Sequence, residues 1–249
     1  MFKTVFCSTL ALVAGSSIVC YADSKADATA AADKLGTNYS WKQTSENAGG
    51  GGGFGGGAQK GQTANGVTKV TMTFNDMERV TYRKGEKTVM QNQDGEWMTM
   101  EEMMAARGGG NGGGGQGRRG GRGGAGAQML PAETVKDLIS KTKDLKDADG
   151  GLAGDLTEEG AKGALTFGGR GRRGGGGGGG NNAGPENAKG TLKVWLKDGA
   201  ISKYQFHVSG TVQGRGGDPM DVDRTTTIEF SNVGSTKVDV PEAVAKKLQ

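Results

Sequence analysis

The sequence predicts an α+β fold in which two or three helices pack on one face of a single curved antiparallel β-sheet. Three observations predict it. Apolar and polar residues alternate along several short segments, which is typical of half-buried strands. These segments fall into two runs, and an amphipathic helical segment that begins at Pro131 separates them. Finally, glycine is concentrated in three tracts between the predicted elements, where long inserts cost little free energy.

The charge of the chain is unevenly distributed. Its 249 residues include 50 glycines, 31 basic and 27 acidic residues, which gives a formal net charge of +4. Seven arginines lie in or beside the glycine tracts, and without them and Lys3 the acids outnumber the bases. The basic character therefore belongs to the tracts and does not predict a folded nucleic-acid-binding surface.

The N-terminal residues 1–22 are predicted to be a signal peptide. Lys3 supplies the positive end, Val5 to Val19 is largely apolar, and small residues precede a cut after Ala22. A retained membrane anchor and lipidation at Cys20 are the alternatives. We therefore expect an exported protein of the periplasm or cell envelope. Both cysteines lie in this leader, so the mature chain is expected to have no disulfide and no cysteine-based metal site.

Residues 23–249 are predicted to form a single domain. Disordered, low-complexity inserts rich in glycine and arginine are expected at about residues 48–64, 107–128 and 168–188, because such composition cannot bury enough apolar area to offset its ordering entropy.

The first half of the domain predicts one helix and a run of strands. Asp23 to Leu35 is rich in alanine and ends at Gly36, a helix stop. Thr99 and Glu102 have the spacing of a capping box for a short helix through Met104. The predicted strands are Asn38–Glu46 with Tyr39 and Trp41 on one face, Gly66–Phe74 with Val70, Met72 and Phe74 inward, Glu78–Arg83 and Glu86–Asn92 as a hairpin, and Trp97–Met100.

The second half predicts two helices and then a meander. The helices are Pro131–Leu145, which is amphipathic, and Leu156–Phe167, capped by Thr157. In the meander, two alternating strands flank Asp198-Gly199. This dipeptide predicts a two-residue hairpin turn between them, because such a turn needs positive φ at its centre. A third strand presents Ile228 and Phe230 on one face. The last predicted elements are a fourth strand, Lys237–Val240, and a final helical segment, Pro241–Leu248.

The sequence contains no catalytic motif. His207 is the only histidine, lies on the polar face of a strand, and is expected to have a surface role rather than a ligand role. Asp218, Asp221 and Asp223 lie close together, but they lack the glycine and distal glutamate of a calcium-binding loop, so solvated acids are the preferred interpretation. The sequence shows no combination of a nucleophile, a general base and metal ligands. We expect no enzyme activity, no cofactor and no metal.

The arginines within the glycine tracts suggest a polyanion-binding role. Such arginines neutralise phosphates and stack on bases, yet no aromatic residues interleave with them, and an exported chain meets little RNA. Nucleic acid is therefore not an expected partner. Attraction to anionic lipid head groups or envelope polymers and passive expansion of the tracts remain open. The candidate residues are Arg118, Arg119, Arg122, Arg170, Arg172 and Arg173.

Methionines are concentrated beside Trp97. Methionine is adaptable and is common where a surface accepts varied apolar partners. Core packing is one interpretation of this group, and a pocket for acyl chains is the other. The group comprises Met90, Met98, Met100, Met103 and Met104.

The C-terminal motifs resemble a known family. The W-x-x-D-G hairpin at Trp195 to Gly199, the TTTIEF strand and the final V-D-V-P are similar to those of the periplasmic lipoprotein-carrier (LolA-like) superfamily and its lipid-binding LppX/LprG relatives. The resemblance implies that the sheet is strongly curved, a half-barrel that half-wraps the two or three helices, and that it leaves an apolar cavity for acyl chains.

This resemblance leads to a functional hypothesis. The protein is expected to be a monomeric, non-enzymatic lipid- or lipoprotein-binding protein whose partner is a lipid or an acylated protein. The alternative is a structural or polyanion-binding envelope protein that acts through its arginine-glycine tracts. The predicted cavity lining is Val70, Met72, Phe74, Met98, Met103, Met104, Tyr204, Phe206, Ile228 and Phe230.

Overall fold

The computed structural model describes residues 24–48, 58–74, 77–92, 94–108, 129–166, 184–213 and 218–249. These residues form one open antiparallel sheet of eleven strands and five helices. The strands are β1 (Tyr39–Asn47), β2 (Gln59–Ala64), β3 (Val67–Phe74), β4 (Met77–Lys84), β5 (Lys87–Gln91), β6 (Trp97–Thr99), β7 (Lys146–Ala148), β8 (Gly151–Asp155), β9 (Glu186–Lys197), β10 (Ala200–Gln213) and β11 (Pro219–Ser231). The helices are α1 (Ser24–Asp33), α2 (Met100–Gly108), α3 (Pro131–Ser140), α4 (Glu158–Thr166) and α5 (Glu242–Lys247).

Two meanders meet side by side in this sheet. Its strand order is β6-β5-β4-β3-β2-β1-β11-β10-β9-β8-β7, so every strand except β1 and β11 neighbours only strands adjacent to it in sequence. The junction is the pairing of β1 with β11, in which Trp41 lies opposite Phe230. The prediction of a single antiparallel half-barrel sheet with helices is confirmed.

The two faces of the sheet carry different helices. We call the side that bears Tyr39, Tyr204 and Ile228 the helix face, because the apolar residues of α1, α3 and α4 bury these side chains in one core. On the opposite side, the back face, Tyr82 and Val89 pack against the C-terminal helix α5. Alternation along each strand thus supplies two separate cores, one on each face.

Turn and cap residues act as the sequence predicts. Asp198 and Gly199 have φ of 53° and 74°, which is the two-residue turn that joins β9 to β10. The N–H of Thr99 donates to the Glu102 carboxylate at 2.7 Å, and the N–H of Glu102 donates to Thr99 Oγ1 at 3.1 Å, so the predicted capping box is present. Thr157 caps α4 by accepting from the N–H of Gly160 at 3.1 Å.

The predicted strand at Lys237–Val240 is wrong. These residues form no strand, because β11 already pairs with β1 on one side and β10 on the other and offers no free edge. The segment crosses the back face instead. Ser40 and Thr236 share a hydrogen bond between their hydroxyls at 2.9 Å, and the Tyr82 hydroxyl donates to the Asp239 carbonyl at 3.2 Å.

Other differences concern the ends of predicted elements and short strands that lack alternation. Helix α3 ends at Ser140 rather than Leu145, since Lys146–Ala148 pairs with β8. The hairpin of β7 and β8 was not predicted. Strand β2 lies within the residues assigned to the first insert, and its polar, glycine-containing sequence has no strand signal. Strand β9 begins at Glu186, inside the predicted third insert.

Candidate functional site

One row of residues crosses seven strands of the helix face. Its members lie directly opposite one another, so their side chains share that face. Apolar residues form most of the row, and Gly61 and Thr81 are its two small members. We call it the apolar row. In strand order from β11 to β6 it comprises Phe230, Trp41, Gly61, Val70, Thr81, Met90 and Met98.

The β11 end of the apolar row belongs to the helix-covered core. Phe230 packs edge-on against Tyr39, with ring centroids 5.5 Å apart, and lies 5.9 Å from the ring of Tyr204. Trp41 is buried, and its indole lies over Gly61 so closely that a Cβ atom there would overlap the ring. This end of the row is filled by the chain's own aromatic side chains.

The β6 end of the apolar row is only half buried. Val70, Thr81, Met90 and Met98 all retain exposed surface. Among the described residues, α1 and α4 pack against β9 and β10, whereas α2 and α5 pack beside β5 and β6. Four strands of the helix face therefore present an apolar strip that continues from a closed core.

Polar residues border this half-buried strip. On one side Arg83 lies opposite Thr68 on the helix face, and Thr68 is buried. On the other side Met72 widens the strip at β3, and the exposed Arg79 lies opposite it. The strip is thus one to two side chains wide and has an arginine at each margin.

The structure divides the predicted cavity-lining residues into two groups. Tyr204, Phe206 and Ile228 are no more than 1% exposed and lie under the helices with Phe230. Val70, Met72 and Met98 lie together on the half-buried strip. The side chain of Phe74 lies outside the described part of the structure.

Helix α2 carries the two remaining predicted residues. Met103 is half buried and Met104 is 54% exposed. The helix is held beside α5, because Lys247 Nζ donates to the Glu102 carboxylate at 2.6 Å. That hydrogen bond lowers the pKa of Glu102.

Sequence reasoning did not place Thr81 or Trp41 at the site. Met90 was offered only as a member of the methionine group that either packs in a core or lines a pocket for acyl chains. Alternation shows which residues of one strand share a face, but the cross-strand register that aligns Val70, Thr81 and Met90 is a tertiary property. Only that register turns separate residues into a continuous strip.

Tyr204 gives the covered core a pH dependence. Its hydroxyl donates to the Pro131 carbonyl at 3.1 Å, and burial raises the pKa of Tyr204 well above its ordinary value. Above about pH 10 tyrosine in the unfolded chain loses its proton while folded Tyr204 keeps it. The unfolded state then binds fewer protons, so the free energy of unfolding falls as pH rises, by about 1.4 kcal/mol per pH unit for each such tyrosine.

We expect Tyr204→Phe to make the fall of the unfolding free energy with pH less steep, by about 1.4 kcal/mol per pH unit. Tyr39, whose pKa burial also raises, contributes to the slope in the same direction. Urea unfolding measured from about pH 9 to about pH 11 checks the expectation. An identical slope in the parent and the variant would contradict it.

Several other predicted features lie outside the described residues. These are the signal peptide, Cys20 and the six arginines of the polyanion hypothesis, which stay predictions. Within the described ranges, His207 Nε2 and Asp223 Oδ1 are 3.0 Å apart, and Thr211 donates to Asp221 at 2.9 Å. No group of three or more histidine, cysteine or acidic side chains in those ranges is arranged to hold a metal ion. None of the described helices combines the length and hydropathy needed to cross a bilayer.

Comparison with known proteins gives solved structures that resemble this fold, and one of them matches most of the chain. The chain is similar to LprF from Mycobacterium bovis, with 10% sequence identity and a TM-score of 0.44. The alignment covers 89% of this chain and 97% of that chain. No family model matches the chain, and no curated protein matches it.

Proposed function

We propose that this protein is an exported, non-enzymatic lipid- or lipoprotein-binding protein that holds an acyl chain against the half-buried strip of Val70, Thr81, Met90 and Met98. The observation that carries the proposal is the register. It aligns these side chains across four strands and continues them into the closed core through Gly61 and Trp41.

The dimensions of the strip favour an extended ligand. Three strand spacings separate Val70 from Met98, a distance of about 14 Å along the row. An amphipathic helix is about 10 Å across and would place its apolar stripe over the bordering arginines as well. An acyl chain is narrow enough to lie between Arg79 and Arg83, and each buried methylene contributes about 0.8 kcal/mol.

The chemistry of the strip also suits an acyl ligand. The unbranched side chains of Met90 and Met98 adapt their rotamers to ligands of different shape. Thr81 is the small residue between Val70 and Met90, so its short side chain leaves a depression in the surface of the strip. An arginine at the margin provides a hydrogen-bonding group for the carboxylate or phosphate that terminates many acyl lipids.

The test is to fill the depression at Thr81 with a large side chain. We expect Thr81→Trp to weaken binding of the fluorescent fatty acid cis-parinaric acid at least about tenfold, which corresponds to about 1.4 kcal/mol. Thr225→Trp is the matched control, because Thr225 is also half buried but lies on the back face of β11. Native mass spectrometry of protein isolated from its own envelope then identifies any bound lipid.

Two outcomes would contradict the proposal. One is a parent protein that binds neither the probe nor a lipid of its own envelope. The other is a folded Thr81→Trp protein that binds as tightly as the parent. Met90→Gln serves as a second variant if Thr81→Trp does not fold, since it makes the strip polar at nearly constant side-chain length.

A further inference from the structure

A groove on the back face is lined mostly by polar and charged residues, together with Trp41, Gly61 and Phe230. It has a volume of about 560 Å³ and lies across β11, β1, β2 and β3. Small-molecule sites commonly fall within about 300–1,000 Å³. We call it the back groove. Its polar and charged lining includes Lys42, Lys60, Gln62, Lys69, Glu229 and Ser231.

The back groove places like charges side by side. Lys42 and Lys60 lie directly opposite each other on β1 and β2, and Lys69 lies opposite Gln62 on β3. Directly opposed like charges destabilise a sheet. Within the described residues none of these three lysines has an ion-pair partner, and Lys69 Nζ lies 5.8 Å from the centre of the Tyr82 ring.

The acids of the chain leave this charge largely unbalanced. Glu229 is the only acid that lines the groove among the described residues, and it faces three lysines. It lies opposite Lys42 and Lys203, and Lys203 Nζ stands over the Trp195 ring at 3.9 Å. Outside the described ranges the sequence has only two acids, Asp23 and Asp76. The glycine tracts contain none, so they offer no carboxylate to the groove.

From these observations we infer that the back groove binds a ligand with a phosphate or carboxylate group on a polar body. The anion lies between Lys42, Lys60 and Lys69 and relieves their mutual repulsion. Around it, the amide of Gln62 and the hydroxyl of Ser231 hydrogen-bond polar groups such as sugar hydroxyls. This site is separate from the acyl strip, because it lies on the opposite face of the sheet and shares only β3 with the strip.

The same anionic chemistry occurs in soluble phosphorylated sugars and in lipid head groups, and the experiment separates these sources. Calorimetric titration of the full mature chain with glucose 1-phosphate, and with glucose as the uncharged probe, tests soluble ligands. Co-sedimentation with phosphatidylglycerol vesicles, and with phosphatidylcholine vesicles as control, tests head groups. The inference is supported if the protein binds glucose 1-phosphate but not glucose, or phosphatidylglycerol but not phosphatidylcholine vesicles. Which of the two charged probes binds identifies the source.

Charge-removing variants test whether the binding is local. We expect Lys60→Gln to weaken binding at least about tenfold, and Lys84→Gln, an exposed back-face lysine outside the groove, to leave it unchanged. Without ligand, Lys60→Gln should raise the unfolding midpoint, because it removes the repulsion from Lys42. A lysine with a purely structural role would lower that midpoint instead.

The inference is overturned if neither charged probe binds, or if Lys60→Gln and Lys84→Gln reduce binding equally. It does not depend on the acyl site. Thr81→Trp is expected to retain full binding of the anionic probe, so the two proposals can fail independently.

Discussion

Gly61→Ala is expected to lower the free energy of unfolding by about 3 kcal/mol. The new Cβ would overlap three ring atoms of Trp41, Cε2, Cζ2 and Nε1, which lie directly over Gly61. Trp41 is 6% exposed and packs in the core under the helices, so the ring has little room to move. The indole must leave its rotamer or β2 must separate from β1. Either change costs packing at the point where the closed core meets the half-buried strip.

The same substitution elsewhere in the chain provides the control. Gly163 is exposed in α4, and a Cβ atom there would meet nothing within 4 Å. Gly163→Ala should therefore raise stability by about 0.5–1 kcal/mol through helix propensity. Urea denaturation measures both variants. Fluorescence of Trp41, in a chain with Trp97→Phe and Trp195→Phe, reports whether the ring has moved. An unchanged midpoint and spectrum in Gly61→Ala would contradict the packing described here.

Arg224→Met is expected to lower the free energy of unfolding by about 3 kcal/mol. Arg224 is a buried cation on β11, and its Nη2 donates to the Ala164 carbonyl at 2.8 Å and to the Leu165 carbonyl at 3.5 Å. These carbonyls belong to the last turn of α4, where no helical N–H is available to them. A cation there also complements the negative end of the helix dipole. Methionine fills nearly the same volume but leaves both buried carbonyls without this donor.

Arg224→Lys separates charge from hydrogen bonding. Burial lowers the pKa of Arg224, yet an arginine remains charged at any ordinary pH. Lysine keeps the charge and offers a single donor group, so we expect it to recover part of the lost stability. In Arg224→Met, the rate of amide hydrogen exchange should rise more in α4 than in β10, relative to the parent. Equal exchange in parent and variant would show that Arg224 does not hold the end of this helix.

Local patterns in the sequence are sufficient to predict most of the secondary structure. The alternation through Tyr204, Phe206 and Val208 has a physical cause, since successive side chains of a strand point to opposite faces. Turn residues with positive φ and capping side chains act over only a few bonds, so Asp198-Gly199 and Thr99 are recognisable without any long-range information.

The candidate site was less predictable for an equally physical reason. Tyr204, Phe206 and Ile228 have the same apolar pattern as Val70 and Met72, yet helices cover the first group and leave the second half buried. Apolar alternation reports only that a face is withdrawn from water. It does not report whether the chain itself or a ligand occupies the other side.

What the sequence alone determined is local: which residues share a face in the strands that alternate, where turns such as Asp198-Gly199 fall, and that the glycine tracts lie between elements. The tertiary structure decided which strands are neighbours. Pairing of β1 with β11 sets Trp41 beside Phe230, and pairing of β1 with β2 sets Lys42 beside Lys60. Those neighbours are distant in sequence, and strand register depends on the packing of the whole sheet. Both proposed sites therefore depend on contacts that no single segment encodes.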